Sequence, residues 1–155
     1  MPSITIQPNA IRIVDFEPKF QAEAAALINT GLGEHFGHID ESMNPDLFDI
    51  HRHYLAEVFL LAFVGGQLVG TGALTTVDNQ VGQISRMHTA AAARRQGVAS
   101  RILRALEQRA RTRHLKTVIL ETNLDWDDAI ALYNCHGYKE LARNEEGIRY
   151  AKSLT

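Results

Sequence analysis

The stretch from Gln83 to Leu106 constrains the fold more than any other part of the chain. It reads as a strand over Gln83–Thr89, a loop ending at Gln96, and a helix whose first turn begins near Gly97. Val98, Ile102, Leu106 and Ala110 recur every four residues with Ala99 and Leu103 beside them, while Arg101, Arg104, Gln108 and Arg111 take the opposite face. An amphipathic helix fed by a strand must pack on a sheet. Gly97 lets backbone approach a ligand closely, and Ala99 and Ser100 leave the first turn unobstructed. First-turn N–H groups lack intrahelical partners and lie at the positive end of the helix dipole, with Arg94 and Arg95 adding charge just before them. Those features together make a site suited to a diphosphate.

The rest of the chain supplies a sheet for that helix. Ile11–Phe16 alternates as a first strand, and Phe20, Ala24, Leu27 and Ile28 give a helix from Pro18 that is expected to end near Gly31 and Gly33. A turn-rich segment from Glu34 to Pro45 leads to a short helix from Asp46 to about Tyr54, opened by Asn44 or Pro45. Val58–Val64 and Leu68–Thr75 are strands joined by Gly65-Gly66 as a tight hairpin. Asp78-Asn79 marks the turn into the central strand. Thr117–Thr122 reads as a buried strand, Trp126–His136 as a second long helix closed by Gly137, and Tyr138–Ala142 with Ile148–Leu154 as a last hairpin. This order predicts an α/β (α+β) fold with one mixed, mostly antiparallel central sheet flanked by helices.

The length of 155 residues fits a single domain over 1–155. A hydrophobic content of 45%, a charged content of 22% and a formal charge of −2 describe an ordinary globular chain with no global attraction for nucleic acid or an anionic membrane. Cys135 is the lone cysteine, which excludes an intrachain disulfide. Met1–Ile6 lacks the basic start and apolar stretch of a signal peptide, and the longest purely apolar run, Val58–Val64, is far below the ~20 residues that span a bilayer. A cytoplasmic location is expected.

Two separate motifs carry a family resemblance. Arg94-x-x-Gly97-x-Ala99, five residues after Thr89, resembles the acetyl-CoA-binding motif of the GNAT superfamily of N-acetyltransferases, Arg/Gln-x-x-Gly-x-Gly/Ala. Downstream, Ala129-Ile-Ala-Leu-Tyr133-Asn-Cys-His-Gly137-Tyr138 is similar to the family's Ala-x-x-Leu-Tyr-x-x-x-Gly-Phe segment. The resemblance covers roughly Val58–Leu154 and implies the same sheet order. It also implies acetyl-CoA as co-substrate and an amine as acceptor, small molecule or protein. A homodimer is compatible with the family.

By that resemblance, the backbone at Met87, His88 and Thr89 binds the pantetheine arm, and one strand amide polarises the acetyl carbonyl. Physically this requires the central strand to splay from its neighbour, since those N–H groups would otherwise be used in the ladder. The diphosphate would rest on Arg94, Arg95, Gln96, Gly97, Val98, Ala99 and Ser100, and Asn123 would contact the pantetheine. Tyr133 matches the family's tyrosine that faces the coenzyme sulfur. A phenol of pKa ~10 can protonate a thiolate whose conjugate acid lies near ~8.5.

The base that takes a proton from the amine is open, because Gln83 stands where some members carry glutamate and a neutral amide cannot accept that proton. Glu121 on the neighbouring strand is the first candidate, followed by His88 and by Glu34, His35 or His38. Trp126 replaces an asparagine found in many members and is expected to pack at the helix start. A non-catalytic acyl-CoA-binding or sensing protein is the alternative to an enzyme.

Other chemistries fit less well. His35-x-x-His38 and His51-x-His53 lack a nearby cysteine and follow no zinc pattern, so no metal is expected. Cys135-His136 are adjacent on a helix and face different directions, which argues against a dyad. No Gly-Lys-Ser/Thr follows Gly97, which excludes a P-loop. Seven arginines between 94 and 113 do not make a nucleic-acid face, because Glu107, the net charge and the lack of interleaved aromatics oppose it.

Overall fold

The structure, a computed structural model, describes residues 4–37 and 43–155. Seven strands form one sheet in the order β1-β2-β3-β4-β5-β7-β6. They are β1 (Arg12–Asp15), β2 (Val58–Val64), β3 (Gln67–Asp78), β4 (Val81–Thr89), β5 (Thr117–Thr122), β6 (Lys139–Asn144) and β7 (Gly147–Ser153). Every neighbouring pair is antiparallel except β4 and β5. The helices are α1 (Gln21–Phe36), α2 (Ile50–His53), α3 (Val98–Thr112) and α4 (Asp127–Cys135).

The apolar run of β2 is unbroken because both of its faces are covered. Val58, Leu60 and Ala62 join Val98, Ile102, Leu103 and Leu106 of α3 on one side. Phe59, Leu61 and Phe63 join Ala24 and Ile28 of α1 and Ile50 of α2 on the other. A strand packed between two helical layers has no solvent face, so the alternation expected of a half-buried strand is absent.

Three expectations from the sequence are corrected. Helix α1 runs past Gly31 and Gly33 to Phe36 and is stopped by Gly37, a left-handed C-cap at φ 79° whose N–H donates to the Gly33 carbonyl. Gly31 serves close packing instead, since a Cβ there would stand 2.8 Å from Nδ1 of His88 on β4. The expected helix from Asp46 to Tyr54 is two pieces, a 3-10 turn over Pro45–Phe48 and α2. The extended backbone of Asp49 separates them, and its carboxylate accepts from the Arg52 N–H to cap α2. Strand β3 extends to Asp78, beyond the predicted Thr75, pairing with β4 along the added residues.

Two irregularities in β4 set the geometry of everything near it. The parallel ladder with β5 comprises Val81, Gly82 and Gln83 opposite Thr117, Val118 and Ile119, and goes no further. On the other edge a bulge lies opposite Gly72, because Ser85 pairs with Ala73 and His88 with Thr71, leaving Arg86 and Met87 against one residue. Arg86 adopts φ 55°, a left-handed conformation costing a non-glycine residue about 1–2 kcal/mol.

Side chains from the segment before α2 hold that bulge. The Arg86 guanidinium donates from Nε to Asp46 Oδ2 at 3.0 Å, and from Nη2 to Asp46 Oδ1 at 2.6 Å and Asn44 Oδ1 at 3.0 Å. Tyr54 donates its hydroxyl to Asp46 Oδ2 at 2.7 Å, and Thr71 Oγ1 donates to the Arg86 carbonyl at 2.7 Å. Asp46 is 7% exposed. Burial alone would raise its carboxyl, but the hydrogen bonds from Arg86 and Tyr54 and the Arg86 charge outweigh burial and hold it below the ordinary carboxylate value.

Arg86→Met would strand the Asp46 carboxylate and is expected to cost about 3–5 kcal/mol in urea unfolding at neutral pH. Because Asp46 binds its proton less readily folded than unfolded, the wild-type advantage is complete above the ordinary value of 3.8 and is lost as pH falls through the depressed one. The gap between wild type and variant should therefore narrow in acid, and unfolding curves at pH 7 and pH 3 check it.

Candidate active site

Because β4 leaves β5 after Gln83, a cleft of about 860 Å³ opens between the free end of β4, the start of α3, the body of α4 and the last turns of α1. On the β5 side, residues 84–89 of β4 have no ladder partner, and Met87, His88 and Thr89 of that stretch line the cleft. Past the bulge, strand alternation sends Met87 and His88 to opposite faces of the sheet. Met87 packs toward α3, where a Cβ on Gly72 would come within 2.7 Å of its sulfur, and His88 packs against Gly31 of α1.

The mouth of α3 closes one end. Gly97, at φ 87°, occupies the N-cap position, and no side chain caps the helix. A Cβ built on Gly97 would meet nothing within 4 Å, so this glycine is required by conformation and borders open space. Arg95 is also left-handed, at φ 62°. The first intrahelical bond of this turn runs from the Arg101 N–H to the Gly97 carbonyl, leaving the N–H groups of Val98, Ala99 and Ser100 outside the helix ladder. Arg94 donates from Nε to the Thr89 carbonyl at 3.3 Å and reaches Glu34 at 3.5 Å, and Arg95 reaches Asp128 at 3.5 Å. Both guanidinium groups thus stand at the rim with weak, exposed carboxylate partners.

Of the residues predicted for the site, Met87, His88, Thr89, Arg94, Arg95, Gly97, Val98, Ala99, Ser100 and Tyr133 border this one cleft. Gln96, Asn123 and Glu121 do not. The Gln96 side chain is spent on the N-terminal segment, accepting from the Ile6 N–H at 2.7 Å and donating to the Ile4 carbonyl. Asn123 lies in the turn before α4, where its carbonyl accepts from the Trp126 N–H at 3.3 Å. Glu121 projects from β5 to solvent with its side chain 56% exposed, and Arg149 of β7 holds it at 2.7 Å. The alternation of β5 explains this, since Leu120 and Thr122 take the buried positions on either side. The carboxylate first expected to act as base therefore points away from the cleft. His38 lies outside the described residues.

Tyr133 is 5% exposed and packs against Tyr138 at 5.7 Å and Tyr150 at 6.0 Å, yet it borders the cleft. Burial pushes its phenol well above the ordinary value, so it remains a protonated donor throughout the neutral range. His88 is displaced the other way. Burial lowers its imidazole, and the charges of Arg86 and Arg94 lower it further, to about 4, so it is neutral at pH 7. Helix α4 begins at Asp127, one residue after the predicted start, with Trp126 in the N-cap position and its carbonyl accepting from the Ile130 N–H.

Glu34 and His35, named among the candidate bases, both border the cleft on the wall formed by α1, whose contacts were not legible in the sequence. His35 bonds through Nε2 to Asp125 Oδ1 at 3.1 Å across 90 residues of chain. Its ring lies edge-on to Trp126 at 4.5 Å, and Trp126 in turn lies 6.1 Å from Phe36 and 6.2 Å from His88. Trp126 thus packs at the helix start as expected, and it joins the end of α1 to the entry of α4. Among the described residues no group of three His, Cys, Asp or Glu side chains is placed to hold a metal, and no helix is long and apolar enough to cross a membrane.

Known proteins share this fold. A Staphylococcus aureus acetyltransferase of the GNAT family superposes with a TM-score of 0.87 at 22% identity, covering 94% of this chain and all of its own. The Salmonella typhimurium protein yncA, solved with its cofactor acetyl-CoA, superposes with a TM-score of 0.76 at 14% identity, covering 95% of each chain. Rat N-acetyltransferase 8 is 32% identical over 115 residues, which are 69% of this chain and 52% of the relative. The chain spans about half the length of the rat and mouse relatives that it matches in this way. The sequence model described as the acetyltransferase (GNAT) family matches residues 25–138, and the chain belongs to that family.

Proposed function

We propose that this chain is an N-acetyltransferase that moves the acetyl group of acetyl-CoA to a primary amine by direct attack in a ternary complex. The observation that carries this reading is the coincidence, in one cleft, of strand backbone released from its ladder, an uncapped helix mouth and a buried phenol. The N–H groups of Val98, Ala99 and Ser100 suit the diphosphate, and Arg94 and Arg95 can exchange their carboxylate partners for phosphate oxygens. The free backbone near Met87 and His88 suits the acyl carbonyl, and a fixed donor at that position is typically worth about 10²–10³ in rate.

In this reading Tyr133 donates to the departing sulfur. Its raised pKa makes it a reluctant acid in isolation, but also ensures that the proton is present when the C–S bond breaks. The acceptor amine enters from the α1 side, where His35, Trp126 and His88 lie. Gln83 lies within the ladder with β5, and the absence of a carboxylate there is what favours the second reading, an acyl-CoA-binding chain without turnover.

Titration calorimetry with coenzyme A and acetyl-CoA, together with free-thiol release across a panel of primary amines, tests the proposal. Heat with the coenzyme but no thiol release with any amine would select the binding-only reading; no heat at all would reject both. Tyr133→Phe keeps the buried ring and should lower turnover by more than about tenfold, with coenzyme affinity nearly unchanged. Asp128→Asn removes a carboxylate competing for Arg95 and should tighten coenzyme binding by up to about fivefold at low salt, an effect that fades as salt is added.

A further inference from the structure

We propose that His35, oriented by Asp125, is the base that takes the proton from the acceptor amine. The inference rests on the acetyl-transfer reading of the same cleft and supplies the group which Gln83 cannot. Gly31 brings α1 against His88, and His35 follows Gly31 by one helical turn, on the face turned to β4 and Trp126. His35 therefore stands over the part of β4 whose unpaired backbone would hold the acyl group.

Several other bases on the cleft are less well placed. His88 is desolvated and flanked by Arg86 and Arg94, which leaves it too weak a base near neutrality. Glu34 and Asp128 stand beside Arg94 and Arg95 at the diphosphate end of the cleft, and the His136 ring bonds through Nε2 to Ser100 Oγ at 3.0 Å. The imidazole of His35 has instead a carboxylate partner, Asp125 Oδ1 at 3.1 Å. A bond donated from Nε2 to that carboxylate fixes the tautomer with the lone pair on Nδ1. Trp126 holds the ring edge-on at 4.5 Å, which limits its rotation. The charged and titratable groups on the elements around it are Glu34 on its own helix, His88 on β4, Arg94 after β4, and Asp125, Asp127 and Asp128 at the entry of α4.

The protons balance as follows. An acceptor arriving as an ammonium gives one proton to Nδ1 of His35, directly or across one water, and His35 passes it to solvent. The nitrogen lone pair then forms the N–C bond as the C–S bond breaks. Tyr133 gives its proton to the sulfur and is restored by the second proton that the nitrogen loses. The products are the amide, the free thiol and one released proton.

The test uses the full chain, acetyl-CoA and whichever of phenethylamine, spermidine and lysine methyl ester releases thiol fastest. His35→Gln should lower kcat about a hundredfold at neutral pH and leave the coenzyme dissociation constant unchanged. Its rate should climb with pH as the amine loses its proton unaided, whereas the wild-type rate levels off earlier. His35→Phe preserves an aromatic ring against Trp126 and should be as slow as His35→Gln, with the same alkaline recovery. Asp125→Asn should show a smaller loss of the same kind.

A wild-type rate in His35→Gln, or a slow variant whose pH profile keeps the wild-type shape, would overturn the assignment while leaving acetyl transfer intact. An absence of thiol release by the wild type with all three amines, despite coenzyme binding, would remove the inference together with the reading on which it rests.

Discussion

The cleft exists because one ladder stops. β4 and β5 pair over three residues and then separate, and a parallel pair ended so early exposes backbone that a sheet would ordinarily satisfy. The bulge at Arg86 accompanies that separation, and the Asp46–Arg86–Tyr54 network holds it. A left-handed arginine in the middle of a strand would relax if its side chain were free. Here a bidentate ion pair fixes the guanidinium, while Thr71 bonds the carbonyl of the same residue. The strain is small beside the cost of stranding the Asp46 carboxylate, so the bulge and the cleft beside it persist together.

The same network couples the two layers. Asp46 belongs to the segment between α1 and α2, and Gln21 of α1 fastens that segment by donating to the Leu47 carbonyl at 2.6 Å and accepting from the Ile50 N–H at 2.9 Å. The helical wall on the acceptor side is therefore bonded to the strand that would present the acyl group. Position along α1 then becomes position over β4, with Gly31 setting the distance and His35 placed one turn beyond it. On the opposite face, α3 is secured independently by the buried Glu107, which accepts from Tyr138 at 2.7 Å and from Lys152 at 3.1 Å.

Local signals in the sequence carried the strands and the diphosphate end of the cleft. Val58–Val64 and Thr117–Thr122 match their predicted bounds, since apolar and β-branched runs bounded by turns need no distant partner to be recognised. Gly97 and its neighbours were legible for a similar reason: a helix mouth is local geometry, and ten of the residues predicted to meet the coenzyme border one cleft. Glu34 and His35 of the α1 wall were named only as later candidates for the base, because what positions His35 is a contact across 90 residues, with Asp125. Gly31 and Gly33 read as stops because glycine lowers helix propensity, but packing against β4 overrode propensity. Glu121 failed as a base for a reason of phase, since one step along β5 carries a side chain from the core to solvent.

The titrating groups follow a consistent electrostatic plan. Next to the backbone that would hold the acyl group, His88 and Tyr133 are kept neutral by burial, one displaced downward and the other upward. Arginines free to meet a ligand stand at the rim, where Arg94 faces Glu34 and Arg95 faces Asp128. A thioester attacked by an amine develops negative charge on its carbonyl oxygen and then on sulfur, in surroundings where a nearby fixed anion would oppose both. Neutral donors at the centre stabilise those charges without the desolvation cost of a buried ion, while arginines at the edge meet an anionic phosphate that stays partly hydrated. Gln83 lies in the ladder with β5 and does not border the cleft. The proposed proton acceptor lies instead on the α1 wall, where Asp125 orients its ring.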